Sequence, residues 1–60
     1  MIPEKDWAMH QAMRNYGGSF VQGLADLLER ADVQNYARLE IAFPEYFSQY
    51  REMSKGIKQV

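Results

Sequence analysis

Three interruptions, at Gly17-Gly18, at Asp32 and at Phe43-Pro44, cut a chain of 60 residues into four segments, each of which reads as a short helix. Glycine ends a helix at low steric cost, and proline can neither donate to a continuing helix nor leave its predecessor helical. Pro3 suits the first turn of segment one, and Glu4 and Asp6 complement the positive end of its dipole. Met9, Ala12, Met13 and Tyr16 then recur at i, i+3, i+4 and i+7, with Trp7 and Ala8 widening the stripe. Gly17-Gly18 is predicted to stop this helix through glycine's access to the left-handed conformation. Ser19 with Gln22 three residues on matches a capping box for segment two. Val21, Leu24, Ala25, Leu28 and Ala31 continue its stripe, and Phe20 and Leu27 extend it to a second flank, which predicts a central helix. Gly23 inside it costs roughly 0.5–1 kcal/mol relative to alanine, a cost that close helix packing or simple tolerance would explain.

Asp32 can cap a third segment from Val33 to about Phe43, with Tyr36, Ala37, Leu39, Ile41 and Ala42 as its apolar positions. Leu39, Ile41 and Phe43 also alternate as a strand would, but a lone strand has no partner here. Pro44 opens segment four, which carries Tyr46, Phe47, Tyr50 and Met53 and is predicted to end near Lys55 at Gly56. Positions 57–60 read as a frayed tail. The expected fold is all-α, a compact bundle of three to four short helices forming one domain over 1–60.

Charge and composition exclude several functional classes. Seven Lys+Arg against eight Asp+Glu leave a net charge of -1, so no broad basic surface exists to hold phosphates. The absence of cysteine removes disulfides and thiolate metal sites. No apolar run is long enough to span a membrane, and the first residues lack the pattern of a signal peptide, so the expectation is a soluble, cytoplasmic protein. Its one histidine, His10, reads as a surface residue without converging ligands, so neither a metal nor a cofactor is expected. Ser19 reads as a cap and Ser48 and Ser54 as helix surface, leaving no nucleophile with a base beside it. The carboxylate neighbours Glu40 and Glu45, and Asp26, Glu29 and Asp32, read as caps and solvated faces of a chain too small to enclose a substrate pocket. A non-enzymatic protein follows.

Binding is the remaining class. Burial at ~25 cal/mol per Å² barely offsets ~1.5 kcal/mol of lost entropy per ordered residue in so short a chain, and its four tyrosines, three phenylalanines, one tryptophan and four methionines exceed what one small core can hide. Some of this surface is therefore expected to be an interface, with a protein partner, with further copies of the chain as a homo-oligomer, or with both. Trp7, Tyr16, Tyr46, Phe47 and Tyr50 are the candidate anchors, and Arg14, Arg38 and Arg51 the candidate directional pairs. An alternative uses Arg14 with the Gly17-Gly18-Ser19 turn as an anion site, Trp7 and Tyr16 stacking on the base of a small nucleotide held between protomers. A helix-turn-helix reading of segments two and three offers Gln34, Asn35, Arg38 and Glu40 to DNA, with a single basic residue among them.

Trp7-Ala8-Met9, Asn15 to Val21 and Phe43-Pro44-Glu45-Tyr46-Phe47 resemble small helical proteins encoded by phages and prophages, over roughly positions 6 to 50. The resemblance implies a role without a reaction. Such accessory proteins act in the host cytoplasm by binding a host component or sequestering a signalling molecule.

Overall fold

The structure is a computed structural model and describes residues 2–57. A 3-10 turn at Glu4–Asp6 leads into α1 (Trp7–Tyr16), followed by α2 (Ser19–Arg30), α3 (Val33–Ala42) and α4 (Pro44–Ile57). No strand occurs among the described residues, so the chain is the all-α bundle of short helices that its periodicity predicts. The alternating run at Leu39, Ile41 and Phe43 belongs to α3 and its cap. Of the tail expected at 57–60, Ile57 is the last residue of α4, and 58–60 lie outside the described residues. Gly56 does not stop α4, which runs through it.

Each joint is a matter of one or two residues. Asp32 caps α3 as predicted, its carboxylate accepting the Asn35 amide at 2.8 Å while its carbonyl accepts that of Tyr36 at 2.8 Å. Phe43 serves two helices: its N–H closes α3 on the Leu39 carbonyl at 2.9 Å, and its own carbonyl accepts the Phe47 amide at 3.3 Å to open α4. Its φ of -129° and ψ of 58° lie outside the helical region, as the proline that follows demands.

The α1–α2 joint corrects two expectations. Among the described residues none has a positive φ, and Gly17 is extended at φ -78°, ψ 153°. Its lack of a side chain serves close approach: a Cβ there would fall 2.5 Å from Val21 Cγ1 and 2.6 Å from the Met13 carbonyl oxygen. The capping box also does not form. Gly18 occupies the cap, its carbonyl accepting the Gln22 amide at 2.9 Å, and the Gln22 side chain donates to the Arg14 carbonyl at 3.3 Å. At the start of the chain, Pro3 precedes the 3-10 turn and its carbonyl accepts the Asp6 amide.

The centre of the bundle is α1, packed most extensively against α4 and next against α2, while α3 leans on α4. Met9, Ala12 and Met13 from α1, Val21, Leu24, Ala25 and Leu28 from α2, Tyr36 from α3, and Phe47 and Tyr50 from α4 form the core, with Ala31 beside them. The prediction that α2 is central is thereby corrected. Its inner stripe is buried, but its second apolar flank, Phe20 and Leu27, stands more than half exposed. Only Tyr36 of α3 is fully inside, since Val33 and Ile41 face solvent.

These contacts set opposite outcomes for two glycines. Gly17→Ala should lower stability by about 1–3 kcal/mol, the usual cost of overpacking. Gly23→Ala, whose Cβ would meet nothing within 4 Å, should raise it by about 0.5–1 kcal/mol. Urea unfolding of the dilute protein, followed by circular dichroism, reads both; a Gly17→Ala protein as stable as the parent would overturn the close-approach account.

Candidate functional site

Charged groups stand where helical spacing puts core residues. On the first helical stretch Asp6, Met9, His10 and Met13 share one face at i, i+3, i+4 and i+7, and all four are buried. On α4 the same spacing joins Phe47, Tyr50, Arg51 and Ser54. Asp6 and Arg51 therefore meet in the interior, where α4 packs against α1. Arg51 Nε and Nη2 donate to the two Asp6 oxygens, each at 3.0 Å, the paired geometry that a guanidinium fork offers a carboxylate. The Tyr36 hydroxyl donates to Asp6 Oδ2 at 2.9 Å, and Arg51 Nη1 donates to Glu40 at 2.9 Å. The guanidinium also lies over the Phe47 ring, 5.3 Å from its centroid, and Tyr36 meets that ring edge-on.

Burial by itself raises the Asp6 carboxyl, but the bonds from Arg51 and Tyr36 outweigh it and hold Asp6 below its ordinary 3.8. Burial and the Asp6 carboxylate it donates to push the Tyr36 phenol well above its ordinary 10.0. The bond to Asp6 raises Arg51 further, so the guanidinium stays charged. This is an ion pair reinforced by further hydrogen bonds, from Tyr36 to its carboxylate and from its guanidinium to Glu40. An open groove of about 440 Å³ runs past it, bordered by Lys5, Ala8, Ser48 and Lys55, but its central charges are already engaged.

A second buried polar group is His10, which corrects the expectation of a surface histidine. Its Nε2 lies 3.1 Å from the Ala25 carbonyl and 3.4 Å from Glu29, both acceptors, so Nε2 carries the hydrogen. Nδ1 is buried and without a hydrogen-bond partner. Trp7 stacks on the ring at 5.8 Å. Ser54, also expected at the surface, is buried and donates to the Arg51 carbonyl at 2.8 Å.

The expected partner-binding residues separate into two groups. Phe47 and Tyr50 are core, 1% and 6% exposed, and Arg51 closes the ion pair, which corrects their assignment to a docking surface. Their side chains fill the α1–α4 seam because the buried stripe of α4 starts at Phe47, one residue beyond Tyr46. Trp7 and Tyr16 are exposed, Arg38 is exposed on α3, and Tyr46 is half-buried. Arg14 is held at 2.7 Å by Asp26, with Glu29 at 3.7 Å. That engagement also weighs against the anion reading of Arg14 with Gly17, Gly18 and Ser19, because two carboxylates already face the one cation of the set. In the helix-turn-helix reading Glu40 is likewise occupied, by Arg51.

A further accessible face shares only Tyr46 and Arg38 with the expected anchors and pairs. Along α2, Phe20 and Leu27 stand 58% and 51% exposed. Phe20 packs on Phe43 and Tyr46, at 5.8 and 5.7 Å between ring centroids, forming an aromatic end. A depression of about 380 Å³ sinks between the Phe20 and Phe43 rings and Gly23, Leu24 and Leu27. Leu27 continues into a second groove of about 400 Å³ between α2 and α3, floored by Ala31, Leu39 and Ala42 and flanked by Arg30 and Arg38. The result is an apolar strip with arginines at one end. Among the described residues no group of three or more histidine or acidic side chains could hold a metal ion. Compared with protein-family models, curated proteins and solved structures, the chain matches none of them.

The ion pair gives stability two pH limits. Asp6 is held low, so its contribution is complete above pH 3.8 and is lost as pH falls through the depressed value; Tyr36 is held high, so its share is complete below pH 10.0 and is lost as pH rises. Asp6→Asn should cost about 3 kcal/mol at neutral pH, the low end for breaking a buried pair because Arg51 keeps a third of its side chain in solvent. It should also flatten the acid limb of the stability profile, and Tyr36→Phe should flatten the alkaline limb. Chemical denaturation across pH measures all three, and an acid limb unchanged in Asp6→Asn would show that the pair does not form.

Proposed function

We propose that this chain is a small non-enzymatic binding protein that docks another polypeptide on the outer face of α2 and α3. The observation that carries this reading is the contiguous exposure of Phe20 and Leu27, joined to Leu39, Phe43 and Tyr46 and edged by Arg30 and Arg38. A face of aromatic and aliphatic centre with arginine rim is the composition that interface cores favour. It replaces Phe47 and Tyr50 with Phe20 and Leu27 as anchors, and keeps Tyr46 and Arg38. No described helix is long and apolar enough to cross a membrane. The resemblance to phage and prophage accessory proteins accords with a protein that works by contact inside a host cytoplasm.

The face can be altered without touching the core. Leu27→Glu should remove binding of a co-purifying partner by more than about tenfold while leaving the melting temperature in place, because Leu27 is half exposed. Tyr50→Ala, in the core, should instead unfold the chain. Affinity purification of each variant from the organism that encodes it, with mass spectrometry and a thermal melt, compares them. Full partner binding by Leu27→Glu would overturn the assignment of this face.

A further inference from the structure

We infer that the occupant of this face is a second copy of the same chain, packed with α2 antiparallel to α2 about a two-fold axis near Gly23. The inference rests on the α2–α3 face as a docking surface and names what fills it.

Three observations point to self-complementarity. The first is the order of the outer row of α2, which reads Phe20, Gly23, Leu27, Arg30, with Asp26 beside it held by Arg14 at 2.7 Å. An antiparallel partner centred between residues 23 and 24 sets Phe20 of each copy opposite Leu27 of the other, and brings the two Gly23 positions side by side. The second is the space at Gly23, where even a Cβ would meet nothing within 4 Å, so a second backbone can approach closely at the crossing. The depression that Gly23 shares with Phe20, Leu24, Leu27 and Phe43 receives the second copy's Leu27, and the same contact is made in return, as an isologous interface requires.

The third observation is the distribution of charge. Arg30 and Arg38 flank one end of the strip, whereas Glu45, in the first turn of α4, accompanies the aromatic end at Phe43 and Tyr46. Antiparallel packing lays each pair of arginines over the other copy's carboxylate and ring faces, where guanidinium groups bind well; parallel packing would set like ends together. A net charge of -1 offers little opposition to association. The twelve residues of α2 span about 18 Å, so the contact lies at the small end of specific interfaces.

The absence of cysteine makes introduced thiols clean reporters. Light scattering from micromolar to millimolar protein should show the mass rise from one chain to two. Gly23→Cys should oxidise to a cross-linked dimer. Ser19→Cys should not, since its two thiols would lie about 13 Å apart along the helix axis, beyond the ~7 Å that a disulfide can bridge. Leu27→Glu should weaken dimerisation by more than about tenfold with the dilute melting temperature unchanged. A one-chain mass at every concentration overturns the inference, as does a dimer that cross-links through position 19 and not 23. A protein that stays monomeric yet loses a captured partner on Leu27→Glu retains the docking face with a different occupant; monomeric protein with capture intact removes both.

Discussion

The bundle is closed by one salt bridge across 45 residues of sequence, between Asp6 before α1 and Arg51 in α4. A carboxylate in the interior without a partner would cost several kcal/mol, so the packing of α4 on α1 is tolerable only with the guanidinium in place. The requirement runs both ways. Tyr36 donates to the same carboxylate and Glu40 accepts from the same guanidinium, so α3 is positioned by the pair that locks α1 to α4. A hydrophobic pair of equal volume could hold the seam as firmly; the fork adds direction, its two parallel hydrogen bonds fixing how the Arg51 guanidinium and the Asp6 carboxylate face each other.

Fixing that seam determines what the outside looks like. Phe47, Tyr36 and Tyr50 are consumed in it, together with the methionines of α1. Phe20 and Leu27, on the second flank of α2, stay more than half exposed, Phe20 against the rings of Phe43 and Tyr46 and Leu27 at the groove it shares with Leu39 and Ala42. The bulky apolar residues that the core does not take up stand exposed on three helices, Trp7 and Tyr16 on α1, Phe20 and Leu27 on α2, and Val33 and Ile41 on α3, and those of α2 line the grooves it shares with α3 and Phe43.

Much of the fold was legible because it is written in local signals. Asp32 beside an apolar run, Pro44 after Phe43 and paired glycines after Tyr16 each act within a few residues, and the helices lie where those signals put them. The site was less legible because its decisive contacts join distant segments. Nothing near Asp6 distinguishes an acid that complements a helix dipole from one that awaits Arg51. A signal did exist: Asp6 and His10 along the first helical stretch and Arg51 on α4 stand at core spacing, and polar residues inside an apolar stripe ask for buried partners. The anchors on α4 were misplaced for a related reason, since periodicity tells which residues share a face but not which way that face turns. Gly17 carries a similar lesson, because a glycine at a helix end has two uses and only the position of Val21 shows that clearance, not handedness, is needed.

The joints between helices are two residues, two residues and one: Gly17-Gly18, Ala31-Asp32 and Phe43. With so little slack, no segment between the helices can act as a flap, and an incoming molecule meets contours already set before it arrives. Recognition on such a body loses little entropy to ordering its own backbone, and it has correspondingly little means of remoulding itself to suit a visitor of the wrong shape.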